Sequence, residues 1–183
     1  MNETLKIKGE WTGYSLAPHI TENDPAVFQL RDISRNKISE EDKKKFLNAL
    51  IDKGIVLRVV QNTNIVPTNG RNIFARRLTG TGTPSGVINY MALGSGTTAF
   101  SNASTILNNE IFRKLVSSSA YDSNIAYLDL FVASGDIANQ TFTEAGAFID
   151  GTSGTATGSA FSLVIQNLTK SGSMFISLQI TIT

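Results

Sequence analysis

The sequence predicts a mainly β protein, an antiparallel β-sandwich preceded by a small α/β segment with one or two short helices. Three observations predict it. From Gly80 onward the chain holds 11 of its 15 glycines, many Ser and Thr, and few charges. Apolar residues there recur in runs of strand length, and turn formers separate the runs at short intervals, the spacing of a sandwich. Helical periodicity is confined to the first 80 residues.

The elements follow in chain order. Leu5 to Trp11 is a short strand candidate, and the rest of the first 38 residues, with Pro18, His19 and the polar stretch Thr21 to Asp24, shows no sustained period. Ser39 then opens a helix as N-cap, with Glu40, Glu41 and Asp42 where the helix dipole favours acids. Phe46, Leu47, Leu50 and Ile51 form its apolar face, Lys53 lies in its last turn and Gly54 stops it. Ile55 to Val60 is β-branched and short, hence a strand. Gln61 to Gly70 reads as a turn-rich connection, and Arg71 to Leu78 as a second helix whose basic face, Arg71, Arg76 and Arg77, is solvated. Five strands are expected beyond it: Val87 to Leu93, Ile125 to Val132, Thr141 to Ile149, Ser159 to Gln166 and Met174 to Thr183. Turns are expected at Gly80 to Gly86, Gly94 to Gly96, Ser134 to Asp136, Asp150 to Gly158 and Lys170 to Ser173. Two parts result: residues 1–64 as an N-terminal arm with a helix-strand docking segment, and residues 65–183 as the β-sandwich with its short leading helix.

Composition removes several chemistries. Cysteine is absent, so disulfides, thiolate nucleophiles and sulfur-ligated zinc are excluded. A net charge of +1 argues against nucleic-acid binding in bulk. The charge is uneven, however: residues 1–79 hold 13 Lys and Arg against 9 Asp and Glu, whereas residues 80–183 hold 3 against 6. No stretch approaches the roughly 18 uninterrupted apolar residues of a membrane helix. The single histidine, His19, stands beside Pro18 in the aperiodic leader, a poor support for a Ser-His-Asp site. Asp122, Asp129, Asp136, Glu144 and Asp150 are the acids that folding would have to pair for hydrolysis, and no pair stands out. Glu144, inside the mostly apolar Thr141 to Phe148, is expected to accept from buried backbone amides or from an arginine such as Arg113. The glycines from Gly80 to Gly86 lack the spacing of a phosphate loop. Asp136 and Asn139 with nearby carbonyls offer oxygens to calcium, without the acid density of an EF-hand. No cofactor and no metal is expected.

A longer pattern remains. Ile88-Asn89-Tyr90-Met91-Ala92-Leu93-Gly94-Ser95-Gly96-Thr97-Thr98 is followed by Glu110 and Arg113 after an Asn/Ser-rich spacer, then by Phe142-Thr143-Glu144-Ala145-Gly146-Ala147-Phe148 and an alternating Ile-Ser-Leu-Gln-Ile-Thr-Ile-Thr tail. This succession resembles tailed-bacteriophage virion proteins of the tail-collar, tail-fibre and head-fibre kind. Asn69 to Ile73 looks like the short helix that precedes the sandwich in them, so the resemblance covers about residues 65–183. It implies a non-enzymatic assembly subunit, a homotrimer or ring that bridges a virion to its appendages, made in the host cytoplasm and located in the particle. The partners implied are copies of the chain and other proteins of head, neck or tail, with neither nucleic acid nor membrane. Within that reading Glu110, Arg113 and Glu144 pair charge structurally, and Trp11, Tyr14 and Phe28 anchor the leader on a partner protein. A head-decoration or head-fibre protein is one alternative. A carbohydrate-binding or adhesin module with a host glycan as ligand, on a platform of Tyr90, Tyr121 and Tyr127, is another.

Overall fold

The computed structural model describes residues 6–80 and 82–183. Leu5, the expected start of the first strand, and Thr81, in the first glycine-rich turn, lie outside them. In chain order the elements are β1 (Ile7–Leu16), α1 (Pro25–Ser34), α2 (Glu40–Asp52), β2 (Val56–Thr63), α3 (Thr68–Leu78), β3 (Ile88–Gly94), β4 (Glu110–Leu115), β5 (Ser118–Asp122), β6 (Ile125–Val132), β7 (Gln140–Ile149), β8 (Ser159–Lys170) and β9 (Ser173–Ile182). All strand pairs are antiparallel, in a five-stranded sheet of order β2-β1-β9-β6-β5 and a four-stranded sheet of order β4-β3-β7-β8. The two sheets form the expected sandwich.

Its interior follows from alternation along the strands. Leu128, Leu130 and Val132 of β6 and Met174, Ile176 and Leu178 of β9 meet Phe142, Ala145, Ala147 and Ile149 of β7 in one buried cluster. The helix α3 seals this core beside β8. Ile73 enters the cluster, and Gly70 lies so close to β8 that a Cβ there would sit 3.0 Å from the Cα of Phe161. The link from β8 to β9 crosses between the sheets in two residues. Gly172 is required there, because a Cβ would stand 2.6 Å from the backbone nitrogen of Pro18.

The leader does not lie on a neighbouring molecule. β1 pairs with β9 over its whole length and with β2 on its other side, so it is an interior strand of the sandwich. Residues 1–64 therefore supply two of the five strands of the first sheet, and no division falls at residue 64. The reading as an arm fails because β1 carries small residues, Gly9 and Gly13, on its inward face, which hides its alternation. Gln61 to Thr63, expected in a connection, extend β2 to pair with Glu10 to Thr12.

Two helices cover the outer face of the first sheet. In α2, Ser39 accepts from the Asp42 amide as N-cap and Gly54 follows with φ +67, as the stop and start residues predict. α1 is an addition to the expected elements. Asp24 caps it by accepting from the Ala26 amide at 2.8 Å, Pro25 opens it, and Ala26, Val27, Leu30 and Ile33 are buried. These side chains meet Tyr14, Leu16, Phe131 and Phe175 of the sheet.

An ion cluster fixes α1 over the sheet. Asp129, fully buried on β6, accepts from Arg35 Nη2 at 2.6 Å and from Ser177 Oγ at 2.8 Å, with Arg31 Nε 3.7 Å away. Burial pushes its carboxyl above the ordinary range, opposed by Arg35, the Ser177 hydroxyl and Arg31. Removing one partner of a buried pair leaves the other charge uncompensated, which costs about 3 kcal/mol. Asp129→Asn, which leaves the mostly buried Arg35 guanidinium without a countercharge and Arg31 with Glu22 alone, is expected to lower unfolding stability by about 3 kcal/mol in urea titrations. A loss below about 1 kcal/mol would mean that apolar packing alone seats α1.

Candidate functional site

Four residues of the Ile88 to Phe148 pattern, Gly96, Glu110, Arg113 and Glu144, converge on the outer face of the second sheet, whereas the alternating tail forms β9 of the first. Glu144 points outward from β7, next to the inward-facing Ala145, and is fully buried. The connection between β3 and β4, residues 95–109, folds over it. Glu144 Oε1 accepts from the Gly96 amide at 3.0 Å and the Asn109 amide at 2.7 Å. Its Oε2 accepts from the Asn108 amide at 2.9 Å and the Asn108 side-chain amide at 3.0 Å. A carboxylate taken from water needs such donors, and bonds to an ionised acceptor are about twice as strong as neutral ones. The glycines of the pattern follow from the clamp: a Cβ at Gly96 would lie 2.7 and 2.8 Å from the two carboxylate oxygens. Held down in this way, the connection places Leu107 and Phe100 over Ala92, Phe148 and Leu163, a small apolar cluster outside the main core.

Glu110 and Arg113 form the second part. They make a two-bonded ion pair, Nε to Oε1 at 2.7 Å and Nη2 to Oε2 at 2.8 Å, with side chains 5% and 1% exposed. The guanidinium lies over the rings of Phe148, at 4.4 Å, and Tyr90, at 6.0 Å, and Nη1 donates to the Thr157 carbonyl at 2.6 Å. Arg113 is thus paired with Glu110, while Glu144 is held by amides.

Both residues belong to β4, the terminal strand of its sheet. Phe112 packs toward the main core, so Arg113 and Leu115 face outward, and Ile111 is the extra residue of the β-bulge at which the register with β3 shifts. Ile111 and Leu115 are 38% and 55% exposed on either side of the buried Arg113. An apolar outer face beside an unpaired strand edge is a template for joining another chain. The clamp and the ion pair give that template a rigid backing.

No family model, curated protein or solved structure matches the chain.

The other candidate residues are dispersed. Trp11 is 1% exposed, with its indole N–H donated to Ser162 Oγ at 2.9 Å, and Tyr14 is 2% exposed against Phe175. Neither is presented to a partner, because both side chains are covered by this chain. Phe28 alone of the three is exposed, at 48%, with Arg31 over its ring. The tyrosines do not form a platform: Tyr90 is on the second sheet, and Tyr121 and Tyr127 stand on opposite faces of the first. His19 is exposed.

Each acid weighed for catalysis is engaged with its own partner. Asp129 holds the arginines of α1, Asp150 accepts from the Ser85 amide at 2.6 Å, and Asp122 accepts from Ser123 Oγ at 3.0 Å. The oxygens weighed for calcium hold lysines instead. Lys114 Nζ reaches Asp136 at 2.7 Å, and the fully buried Lys170 donates to the Ser134 carbonyl at 3.0 Å and Asn139 Oδ1 at 3.3 Å. Among the described residues no group of three or more metal-ligating side chains occurs.

Ile111 and Leu115 escape a reading of the sequence because Glu110, Arg113 and Lys114 give the segment a charged texture.

Two outcomes are expected here. Glu144→Gln turns an amide N–H₂ toward N–H donors, and should lower stability by about 3 kcal/mol while speeding hydrogen exchange at Gly96, Asn108 and Asn109. Unchanged exchange at those amides would refute the clamp. Asp136 is pushed up by burial, but the bonds from Lys114 and the Ala133 amide and the nearby lysines hold it below its ordinary 3.8 overall. Its stabilisation is therefore full above 3.8 and is lost as pH falls through the lower folded value. Acid-unfolding curves of Asp136→Asn should be flatter than those of the parent over that interval.

Proposed function

We propose that the chain is a non-enzymatic structural subunit of a tailed-bacteriophage particle, a tail, collar or fibre-attachment adaptor that assembles with copies of itself into a trimer or ring. One observation carries the reading. Residues far apart in the phage-like pattern, Gly96, Glu110, Arg113 and Glu144, build a single device that stiffens an edge strand and its exposed apolar face. A protein that works by assembly needs such a face to be pre-organised, since ordering it during association would subtract from affinity. The acids support the same reading, because the carboxylates weighed for hydrolysis are bound to amides, arginines, hydroxyls and lysines within the fold. A head-decoration protein would share this surface and differ only in where the assembled subunit sits.

The test is the mass in solution of the full chain, by light scattering coupled to size exclusion. A homotrimer or closed ring is expected. Replacing Ile111 and Leu115 together by lysine, both exposed on β4, should give a folded monomer. A parent protein that stays monomeric at every concentration sinks the self-assembly reading, and an oligomer untouched by the double substitution moves the interface away from β4.

A further inference from the structure

The outer face of the first sheet changes polarity row by row. Across the strands, Val59, Tyr14, Phe175 and Phe131 form an apolar row. Next to it run Gln61, Thr12, Ser177 and Asp129, and then Thr63, Glu10, Gln179 and Tyr127. α1 and α2 pack on the apolar row and stop short of the polar ones. A cleft of about 480 Å³ is left between the helix ends and the polar rows. Its floor is rigid sheet, and its wall is Ser34 and Asn36 after α1 with Glu40, Lys43, Lys44 and Leu47 of α2.

Several hydrogen-bonding groups in this cleft are under-used, although Gln61 Nε2 already donates to Glu10 and Asn36 Oδ1 accepts from Lys43. Among the described residues the Thr12 hydroxyl and the Lys44 ammonium have no hydrogen-bond partner. Gln179 makes only long bonds, 3.3 Å from Asn36 Nδ2 and 3.4 Å to Thr181 Oγ1, and the Tyr14 and Ser34 hydroxyls stand 3.4 Å apart. These exceed the usual range for strong bonds, so the groups can turn to a ligand at small loss. The charges cancel: Lys43 bonds Glu40, and Glu10 accepts from Gln61. A phosphate or a nucleic-acid backbone would meet two glutamates as well as two lysines. An apolar ligand would strand amides and hydroxyls. Side-chain amides and hydroxyls beside a modest apolar wall of Ile33, Leu47 and Val59 match a molecule with many neutral hydroxyls and one C–H face.

We propose that the cleft between α2 and the polar rows of β1, β2 and β9 is a binding site for a neutral saccharide. Thr12, Gln61 and Gln179 hold its hydroxyls from the floor, and Asn36 holds them from the wall. The site lies on the first sheet, away from β4, and stands independently of the assembly reading.

The test uses the full chain, labelled with nitrogen-15, titrated to millimolar concentration with lactose, maltose and chitobiose. Sialyllactose and inositol hexaphosphate serve as charged counterparts. Amide shifts clustered at Thr12, Gln61 and Gln179 with at least one neutral disaccharide are expected. Thr12→Val keeps the strand geometry and removes the hydroxyl, and should weaken that binding about tenfold with an otherwise unchanged spectrum. No response to any neutral sugar overturns the proposal. So does a stronger response to the charged ligands, or binding that Thr12→Val leaves intact.

Discussion

Ten consecutive residue pairs join β1 to β9, from Ile7 with Ile182 to Leu16 with Ser173, and the molecule is organised by that ladder. It sets the two strands side by side in the middle of the first sheet, with β2 and β6 on their flanks. Its outward residues supply part of both the apolar row that receives α1 and α2 and the polar rows beyond it. Its inward residues, Trp11 and Leu178 among them, face the second sheet across the main core. A shift of register by one residue would exchange those two sets and leave neither layer anything to pack on.

The interior polar groups obey a common logic with different partners. Asp129 is matched by guanidiniums because α1 brings them; Glu144 is matched by amides because a loop folds over it. Lys170 is matched by a carbonyl and a side-chain oxygen at the base of the 133–139 turn. In each case a charged side chain ties a peripheral segment to a sheet, so the burial that disfavours the charge also gives the tie its directionality.

How much was legible depended on whether the signal was local. The α2 helix carries its cap, its acidic first turn and its glycine stop within sixteen residues, and β6 is an apolar run broken only by Asp129; both could be read directly. The sandwich was legible from alternation and turn spacing. The place of β1 was not, because its partner lies more than 150 residues away and its glycines blur the pattern. The α1 helix was written in Asp24, Pro25 and the spacing of Val27, Leu30 and Ile33, though polar flanks masked it. At the outer face of the second sheet, Glu144 was legible as a buried acceptor of amides. Which amides it would clamp was a matter of loop conformation. Pairing of Glu110 with Arg113 is a contact between near neighbours, whereas the exposure of Ile111 and Leu115 depends on β4 being an edge, which only the sheet order reveals.

The order in which the strands leave the ribosome has its own consequence. β9 comes after all the other described elements in the chain and yet lies between β1 and β6. At ordinary rates of translation β1 waits roughly ten to thirty seconds for its central partner. Until then the early strands are two separate ribbons with raw edges, open to chaperones and proteases. A polypeptide truncated before β9 is therefore not a slightly smaller version of this sandwich but a chain with no middle to its first sheet, which cellular quality control can distinguish from the folded sandwich.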